Sequence, residues 1–388
     1  MPAFTAAPDL DLVAESVRLQ PLIERHSSAN EQNQRLDQEV VDALVDAGIY
    51  RMWMPKEVGG VELSPTKSLQ LLANVAYADA GAAWVLMATG LATGTTGAYI
   101  GDEAASVIYS DEGFGLIAGQ GTRMGLATSV DGGYLLSGDW QFASGIKHAR
   151  YIHTAAVIAE TGEPRIFTLP VEQAEFTDNW DVIGLRATGS IDYSIREVFV
   201  PEAWTYRVFV QEPARGGSLF RLGTMNFAGI CHAGWTLGLA RRLLDEVAEQ
   251  ARAGKGRAGQ RKGNGGFHKE FAEIEGRFRA AEALVFQTWQ GVEQTLAKDE
   301  SLSTREETLV RLALTNLTDT GLEVANFALR ATATLAIRNG VVGRYIRDMM
   351  TGATHLTSSQ PVTEAIGREL LGIQPEHHWV FGDYVPQG

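Results

Sequence analysis

Tyr134-Leu-Leu-Ser-Gly-Asp-Trp-Gln-Phe-Ala-Ser-Gly-Ile-Lys-His148, read together with Asp181–Pro201, decides the fold of this chain. Asp131-Gly132-Gly133 just ahead of it is a hairpin signal, and Tyr134–Ser137 is apolar enough to follow as a short strand. Gly138-Asp139 breaks the run. Trp140, Phe142 and Ser144 are then spaced by two, which puts them on one face of an extended segment. An aromatic two residues before a small hydroxyl, closed by Gly145, can lay a ring against a planar ligand and aim one hydrogen bond at its edge. The same letters also describe a half-buried strand with ordinary core aromatics, and local pattern does not separate the two readings.

Working outward, the chain from Gly113 to Pro201 alternates short apolar runs with Gly, Asp and Pro turns: Gly115–Ala118, Tyr134–Ser137, Tyr151–Ile158, Arg165–Leu169 and Ile195–Val200. That spacing predicts an antiparallel sheet or small barrel. Before it, Val13–Ile23 and Leu36–Val45 carry helical stripes, with Asp37 near a helix start and Gly48 where a left-handed cap is wanted. Tyr50–Met54 reads as extended. Ser64-Pro65 opens a third helix, and Ala82–Leu91 and Glu103–Tyr109 predict two more. After about Ser218 helical periodicity returns over Trp235–Ala251, Phe271–Lys298, Arg305–Ile337, Arg344–Thr351 and Val362–Leu371. The expected class is α+β, with an N-terminal helical domain (1–112), a middle β domain (113–217) and a C-terminal four- or five-helix bundle (218–388).

Acidic residues outnumber basic ones, 47 to 33, for a formal charge of -14. A general nucleic-acid binder needs a basic face to release counterions, so that class is excluded. One cysteine, Cys231, rules out an internal disulfide, fits a reducing compartment and reads as a small buried apolar residue. Met1–Leu12 has neither the basic start nor the apolar core of a signal peptide. Ala80–Ile100 carries no charge, but it is rich in Gly, Ala and Thr between Asp79 and Asp102, which suits a closely packed buried helix rather than a membrane span. No membrane partner is expected, and the expected location is cytoplasmic. Arg252–Lys269, the one basic island, serves equally as a solvated connection or a phosphate contact.

Two glycine patterns fail on physical grounds. Gly254-Lys-Gly-Arg-Ala-Gly259 has the letters of a dinucleotide fingerprint, but a helix precedes it and more loop follows. A bound pyrophosphate needs a strand before the glycines and a helix N-terminus after them. Gly119-Gln120-Gly121 continues into further strand and fails the same test. None of the eight histidines pairs with acids or cysteine at a metal-ligand spacing, and no Gly-x-Ser-x-Gly elbow occurs. Neither a metal site nor a hydrolytic triad is expected.

Helices, then a small sheet domain, then a helical bundle: that order resembles the acyl-CoA dehydrogenase fold over nearly the whole chain. Two stretches carry the resemblance, Gly138–Tyr151 and Gly184-Leu-Arg-Ala-Thr-Gly-Ser190 with Val198-Phe-Val-Pro201. It implies a flavin with Phe142 against the isoalloxazine, Ser144 on its N5/C4a edge and the loop Ala118–Gly125 along its pyrimidine side. Gln120, Gly121, Ala143, Thr188, Ser190 and Gln360 complete the implied cofactor contacts. Dehydrogenases of this family take a carbon-bound proton with a glutamate soon after an Arg-Asp pair. Here Arg347-Asp348 is followed by no carboxylate before Glu364, Leu356 stands at the expected place, and His355 precedes it. An Arg-Asp pair followed by a histidine is similar instead to the other branch, the two-component flavin monooxygenases.

That branch implies reduced FAD, alternatively FMN, reacting with O2 to a C4a-hydroperoxide, a small aromatic substrate, and a separate NAD(P)H:flavin reductase. The missing nicotinamide motif agrees with a separate reductase. Ser144 and His355 are the implied catalytic residues, His355 as base or as peroxide stabiliser. Phenol-hydroxylating relatives carry a histidine shortly after a Trp-Val pair; none follows Trp84-Val85. Trp84, Met87, Ala88 and Leu91 would then form an apolar wall, with Phe227, Ile230 and His232 opposite, suited to an indole-like ring. The fold implies a homodimer or homotetramer. The rival readings are an acyl-CoA dehydrogenase with a displaced base and a non-catalytic scaffold without flavin.

Overall fold

The computed structural model describes residues 11–110, 113–210, 212–380 and 382–386, so nearly all of the Met1–Leu12 stretch lies outside them. Five helices come first: α1 (Leu12–Asn33), α2 (Gln38–Asp46), α3 (Pro65–Ala78), α4 (Ala80–Tyr99) and α5 (Asp102–Ile108). Local chemistry sets their ends. The Asp11 and Asp37 side chains accept first-turn N–H groups of α1 and α2, Pro65 occupies the first turn of α3, and Gly48 takes φ 70° just past α2. α4 is buried along almost its whole length. Among the described residues no helix is long and apolar enough to cross a membrane. Tyr50–Met54 is not extended: it is a 3-10 turn (Ile49–Arg51) followed by further turns, with all but Arg51 buried. Burial on every side produces an unbroken apolar run without any strand.

A small ribbon, β1 (Tyr109–Ser110) with β2 (Gly113–Phe114), leads into β3 (Ile117–Val130), β4 (Gly133–Trp140), β5 (Tyr151–Ile158), β6 (Pro164–Pro170), β7 (Glu175–Thr177), β8 (Asp192–Pro201) and β9 (Thr205–Arg207). The last seven share one sheet in the order β7-β8-β4-β3-β5-β6-β9. The expected hairpin turns at Asp131-Gly132, with Val130 opposite Gly133 and Gly132 at φ 76°. The sheet is mixed, however, not antiparallel throughout. β3 and β5 run parallel, Ile117 opposite Tyr151, because residues 141–150 cross over after β4 instead of turning straight back. A bulge between Gln120 and Gly125 bends β3 beside that crossover.

The C-terminal bundle holds α6 (Gly223–Arg252), α7 (Gly256–Gln260), α8 (Gly265–Leu296), α9 (Thr304–Thr332), α10 (Val341–Gly352) and α11 (Gln360–Leu370), followed by the ribbon β10 (His377–Val380) and β11 (Asp383–Pro386). Ser303 and Glu306 make a reciprocal capping box for α9. One hydrophobic core runs through both helical regions, joining α1, α3 and α4 to α6, α8 and α9, while the sheet keeps a second core of its own. The basic island contains α7 and the start of α8. Much of its charge is neutralised at home: Arg252 pairs with Glu249, Arg261 with Glu270 and Lys269 with Glu273.

Candidate functional site

Where the sheet leans on the bundle, α4, β3, α6, the loops around Ser144 and Ser190, and the end of α10 enclose a cavity of about 480 Å³. The strand that leads to Ser144 ends early. β4 stops at Trp140, whose indole stacks on Tyr193 inside the sheet core, ring centres 5.4 Å apart. The two-residue alternation expected through Phe142 therefore fails. Phe142 turns to φ 65°, is 61% exposed as a residue and meets Trp180 edge-on at 6.1 Å. A left-handed backbone at a bulky residue costs about 1–3 kcal/mol and persists only where the surroundings impose it. Here they do: Ala143 N–H donates to the Ile191 carbonyl at 3.1 Å, and Gly145 N–H to the Thr188 carbonyl at 3.0 Å. Gly145 sits at φ 77° where a Cβ would lie 2.7 Å from Thr89 and 3.0 Å from Val85, so only glycine fits.

Those constraints aim Ser144 into the cavity, and its Oγ is held from behind. Trp84 Nε1–H donates to it at 3.1 Å, and Ser190 Oγ lies 2.7 Å away. Ser190 in turn lies 2.6 Å from Thr188 Oγ1, which donates to the Leu185 carbonyl at 2.8 Å. The N–H of Leu185 donates to Asp348 Oδ1 at 2.5 Å, so the Gly184–Ser190 loop is fastened to α10. Burial pushes the Asp348 carboxyl up to about 7, against the Leu185 hydrogen bond, which favours its charged form.

The bundle side is aromatic. Trp84 is edge-on to His232 and Trp235, each at 5.1 Å, and to His355 at 6.0 Å. The two imidazoles lie face to face, 4.1 Å apart with a 32° tilt. His355 begins the 3-10 turn Leu356–Ser358, and its Nδ1 accepts from the Thr357 N–H at 3.4 Å beside Thr357 Oγ1 at 3.0 Å. That assigns the ring proton to Nε2. Burial pulls His355 and His153 down to about 4, and burial with the neighbouring His355 holds His232 well below the usual imidazole range. Among the described residues no Asp, Glu, Lys or Arg lines the cavity. At neutral pH the whole lining is uncharged.

Of the residues singled out from sequence, the cavity gathers Trp84, Met87, Ala88, Leu91, Gln120, Gly121, Phe142, Ser144, Thr188, Ser190, His232 and His355. Four stand elsewhere. Ala143 is fully buried beneath the loop with its N–H already spent. Gln360 starts α11 on the surface, donating to Glu364 at 2.8 Å. Phe227 and Ile230 are fully buried in the helical core, Phe227 edge-on to Trp53 at 5.8 Å. The cavity face of α6 is the adjoining stripe, Thr224, Ala228, Cys231 and His232. One residue along a helix is a 100° rotation, and choosing the largest apolar side chains selects the core face instead. Sequence reasoning also missed Trp180, His153, Thr351, Thr354 and Thr357; only the small, polar spacing of the last three carries a signal. Away from the cavity, His26, Asp37 and Glu39 bring one ligand atom each within 4.8 Å of one another at the surface, a meeting their spacing did not announce. His26 Nε2 lies 3.1 Å from Glu39 and its Nδ1 3.6 Å from Asp37.

Residues 12–106 match the family model for the acyl-CoA dehydrogenase N-terminal domain, and residues 230–360 that for the acyl-CoA dehydrogenase C-terminal domain. The chain is 26% identical over 387 residues to the indole-3-acetate monooxygenase of Pseudomonas putida, covering 96% of this chain and 94% of that one. It is 25% identical over 400 residues to the oxygenase component of p-hydroxyphenylacetate 3-hydroxylase from Acinetobacter baumannii, covering 95% and 92%. The solved structure of XiaF from Streptomyces sp., in complex with FADH2 and glycerol, matches with a TM-score of 0.85 at 21% identity, over 94% of this chain and 96% of that one.

Proposed function

Because the chain belongs to the acyl-CoA dehydrogenase superfamily, in its flavin-dependent monooxygenase branch, we propose that it is the oxygenase component of a two-component system. In this reading it hydroxylates a small, neutral, indole-like aromatic, using reduced FAD or FMN and O2. One observation carries the choice of reaction: among the described residues the cavity that holds Ser144 is lined by imidazoles and by no carboxylate. Abstraction of a carbon-bound proton by glutamate therefore has no agent there. Asp348, the nearest candidate by sequence, is bonded to Leu185 N–H and does not line the cavity.

The residues fit a flavin. Phe142 holds an exposed ring at the cavity mouth in a conformation that the loop imposes, and Ser144 keeps a lone pair free toward the cavity. Phe142 and Ser144 would hold the ring system, with Gln120 and Gly121 along its edge. Reduced flavin supplies, when bound, the two electrons that activate O2. The chain contributes exclusion of protons and water, since any acid within reach diverts such chemistry to hydrogen peroxide. Three histidines held neutral and an uncharged lining offer no such acid. His355, with its proton on Nε2, would turn a hydrogen-bond donor rather than a ready base toward the cavity. Trp84, Met87, Ala88 and Leu91 give the aromatic an apolar wall.

A separate NAD(P)H:flavin reductase belongs to this reading, as does assembly into a homodimer or homotetramer. Exposed Ile337, Leu371 and Ile373 on the bundle give such an interface apolar material. The test supplies anaerobically photoreduced FAD and indole, then admits isotopically labelled oxygen. One labelled oxygen atom in the ring product supports the reading. Reduction of an artificial electron acceptor by an acyl-CoA, without incorporation of oxygen, overturns it.

A further inference from the structure

We propose that the hydroxyl chain Ser144–Ser190–Thr188 is a redox filter, presenting Ser144 to its ligand only as a hydrogen-bond acceptor and so favouring flavin with a proton on N5. This rests on the flavin reading above. The direction follows from counting protons. The Leu185 carbonyl can only accept, so the single hydroxyl proton of Thr188 is spent on it at 2.8 Å. In the 2.6 Å contact between Thr188 and Ser190, Ser190 must then donate. In the 2.7 Å contact between Ser190 and Ser144, Ser144 must donate in its turn. At the other end an indole N–H can only donate, and Trp84 gives its proton to Ser144.

The chain therefore runs one way, from Trp84 through Ser144, Ser190 and Thr188 to Leu185, and a group with a single role closes each end. Thr188 and Ser190 are 2% exposed, so solvent does not compete to turn them round. The anchor is itself held: the Leu185 carbonyl also accepts from Trp180 Nε1–H at 3.2 Å, and the Leu185 N–H is fixed on Asp348. Ser144 has given its one proton away and taken one from Trp84. What it offers the cavity is a lone pair. Reduced flavin carries N5–H, a donor that meets this lone pair; oxidised flavin carries a lone pair at N5, which meets another. Thr188 and Ser190 are thus positioning residues that act through Ser144.

The experiment measures binding of photoreduced and of oxidised FAD by anaerobic equilibrium dialysis to the wild type and to Ser190→Ala, Thr188→Val and Thr188→Ser. A facing pair of lone pairs in a buried site weakens binding by roughly tenfold to a hundredfold. The wild type is expected to prefer reduced FAD by about that ratio. Ser190→Ala and Thr188→Val free the Ser144 proton, so oxidised FAD should bind more tightly and the ratio fall toward one. Thr188→Ser keeps the relay and should keep the wild-type ratio, which a loss of packing alone would not restore. Equal binding of both forms by the wild type overturns this inference and leaves the flavin reading intact. So does an unchanged ratio in both Ser190→Ala and Thr188→Val. Failure of the wild type to bind either form overturns both.

Discussion

Indole and indole-3-acetate differ by one carboxylate, and the uncharged cavity turns that difference into a measurable ratio. An acetate side chain entering the site has no Lys or Arg to meet among the lining residues. It can enter as the neutral acid, which for an ordinary carboxyl near 4.3 costs about 3.7 kcal/mol at pH 7, or roughly 500-fold in affinity. Alternatively it can charge a histidine. His355 is pulled down to about 4, so charging it at pH 7 costs roughly 4 kcal/mol before any gain from pairing. Either route gives indole an advantage of about two orders of magnitude or more at neutral pH. The first route also fixes the sign of the pH dependence. Affinity for the acid should rise about tenfold for each pH unit lowered toward its own pKa, while affinity for indole stays flat over the same range. The assay is displacement of indole from the protein with reduced flavin bound, under nitrogen, between pH 5.5 and 8. Met87→Arg places a cation on the α4 wall and should narrow the gap. Binding of indole-3-acetate within tenfold of indole at pH 7, with no dependence on pH, would refute the reasoning and show that a cation reaches the cavity.

Three further outcomes follow from the same geometry. His355→Gln removes the imidazole that faces His232, and should lower hydroxylation about 100-fold and raise hydrogen peroxide release, with flavin affinity unchanged; product and peroxide assays on one sample check it. Asp348 has a folded-state pKa near 7 against an ordinary 3.8, so the native state holds its proton more tightly than the unfolded chain. Its contribution is complete below the unfolded value and is lost as pH rises toward 7; Asp348→Asn, neutral throughout, should gain on the wild type across that window by up to about 1.4 kcal/mol per pH unit in thermal melts. Phe227→Ala should cost about 3–5 kcal/mol of stability and leave indole affinity alone, because Phe227 packs against Trp53 in the core rather than lining the cavity.

What the chain discloses in its letters is uneven, and the reasons are physical. Helix ends were legible wherever a cap is chemical: Asp37, Pro65 and Gly48 each do what their side chains or backbones favour. The hairpin at Asp131-Gly132 was legible for the same reason. Strand direction was not, because a parallel neighbour depends on where the intervening segment travels and leaves no mark on either strand. At the site, the Trp84–Leu91 wall follows from one buried helix with an i, i+3, i+4, i+7 stripe, all of which faces the cavity. On α6 the same reasoning found His232 but also took Phe227 and Ile230 from the core face, since α6 is buried nearly all round and size does not report which neighbour a side chain meets. Phe142 shows the opposite failure. Its spacing from Trp140 implied a shared face, yet the backbone turns left-handed at Phe142 itself, an event fixed by hydrogen bonds to Ile191 and Thr188 some way along the chain.

The backbone of one residue, Leu185, joins the two halves of the candidate site. Leu185 presents its N–H to Asp348 in α10, and its carbonyl receives the Thr188 hydroxyl that orients Ser190 and then Ser144. His355 follows farther along the connection that Asp348 begins, past Gly352, where a Cβ would lie 2.3 Å from Trp235 and 3.0 Å from Trp84. The contact of α10 with the Leu185 loop therefore sets the distance between hydroxyl and imidazole, and Trp84 closes the circuit by touching both. The Arg347 neighbour of Asp348 serves the same end, since its ion pair with Glu31 ties α10 to α1. In relatives that abstract a carbon-bound proton the expected place for the acid corresponds to Leu356. Here that turn delivers His355 to the cavity with its Nδ1 facing Thr357, and burial keeps the imidazole neutral.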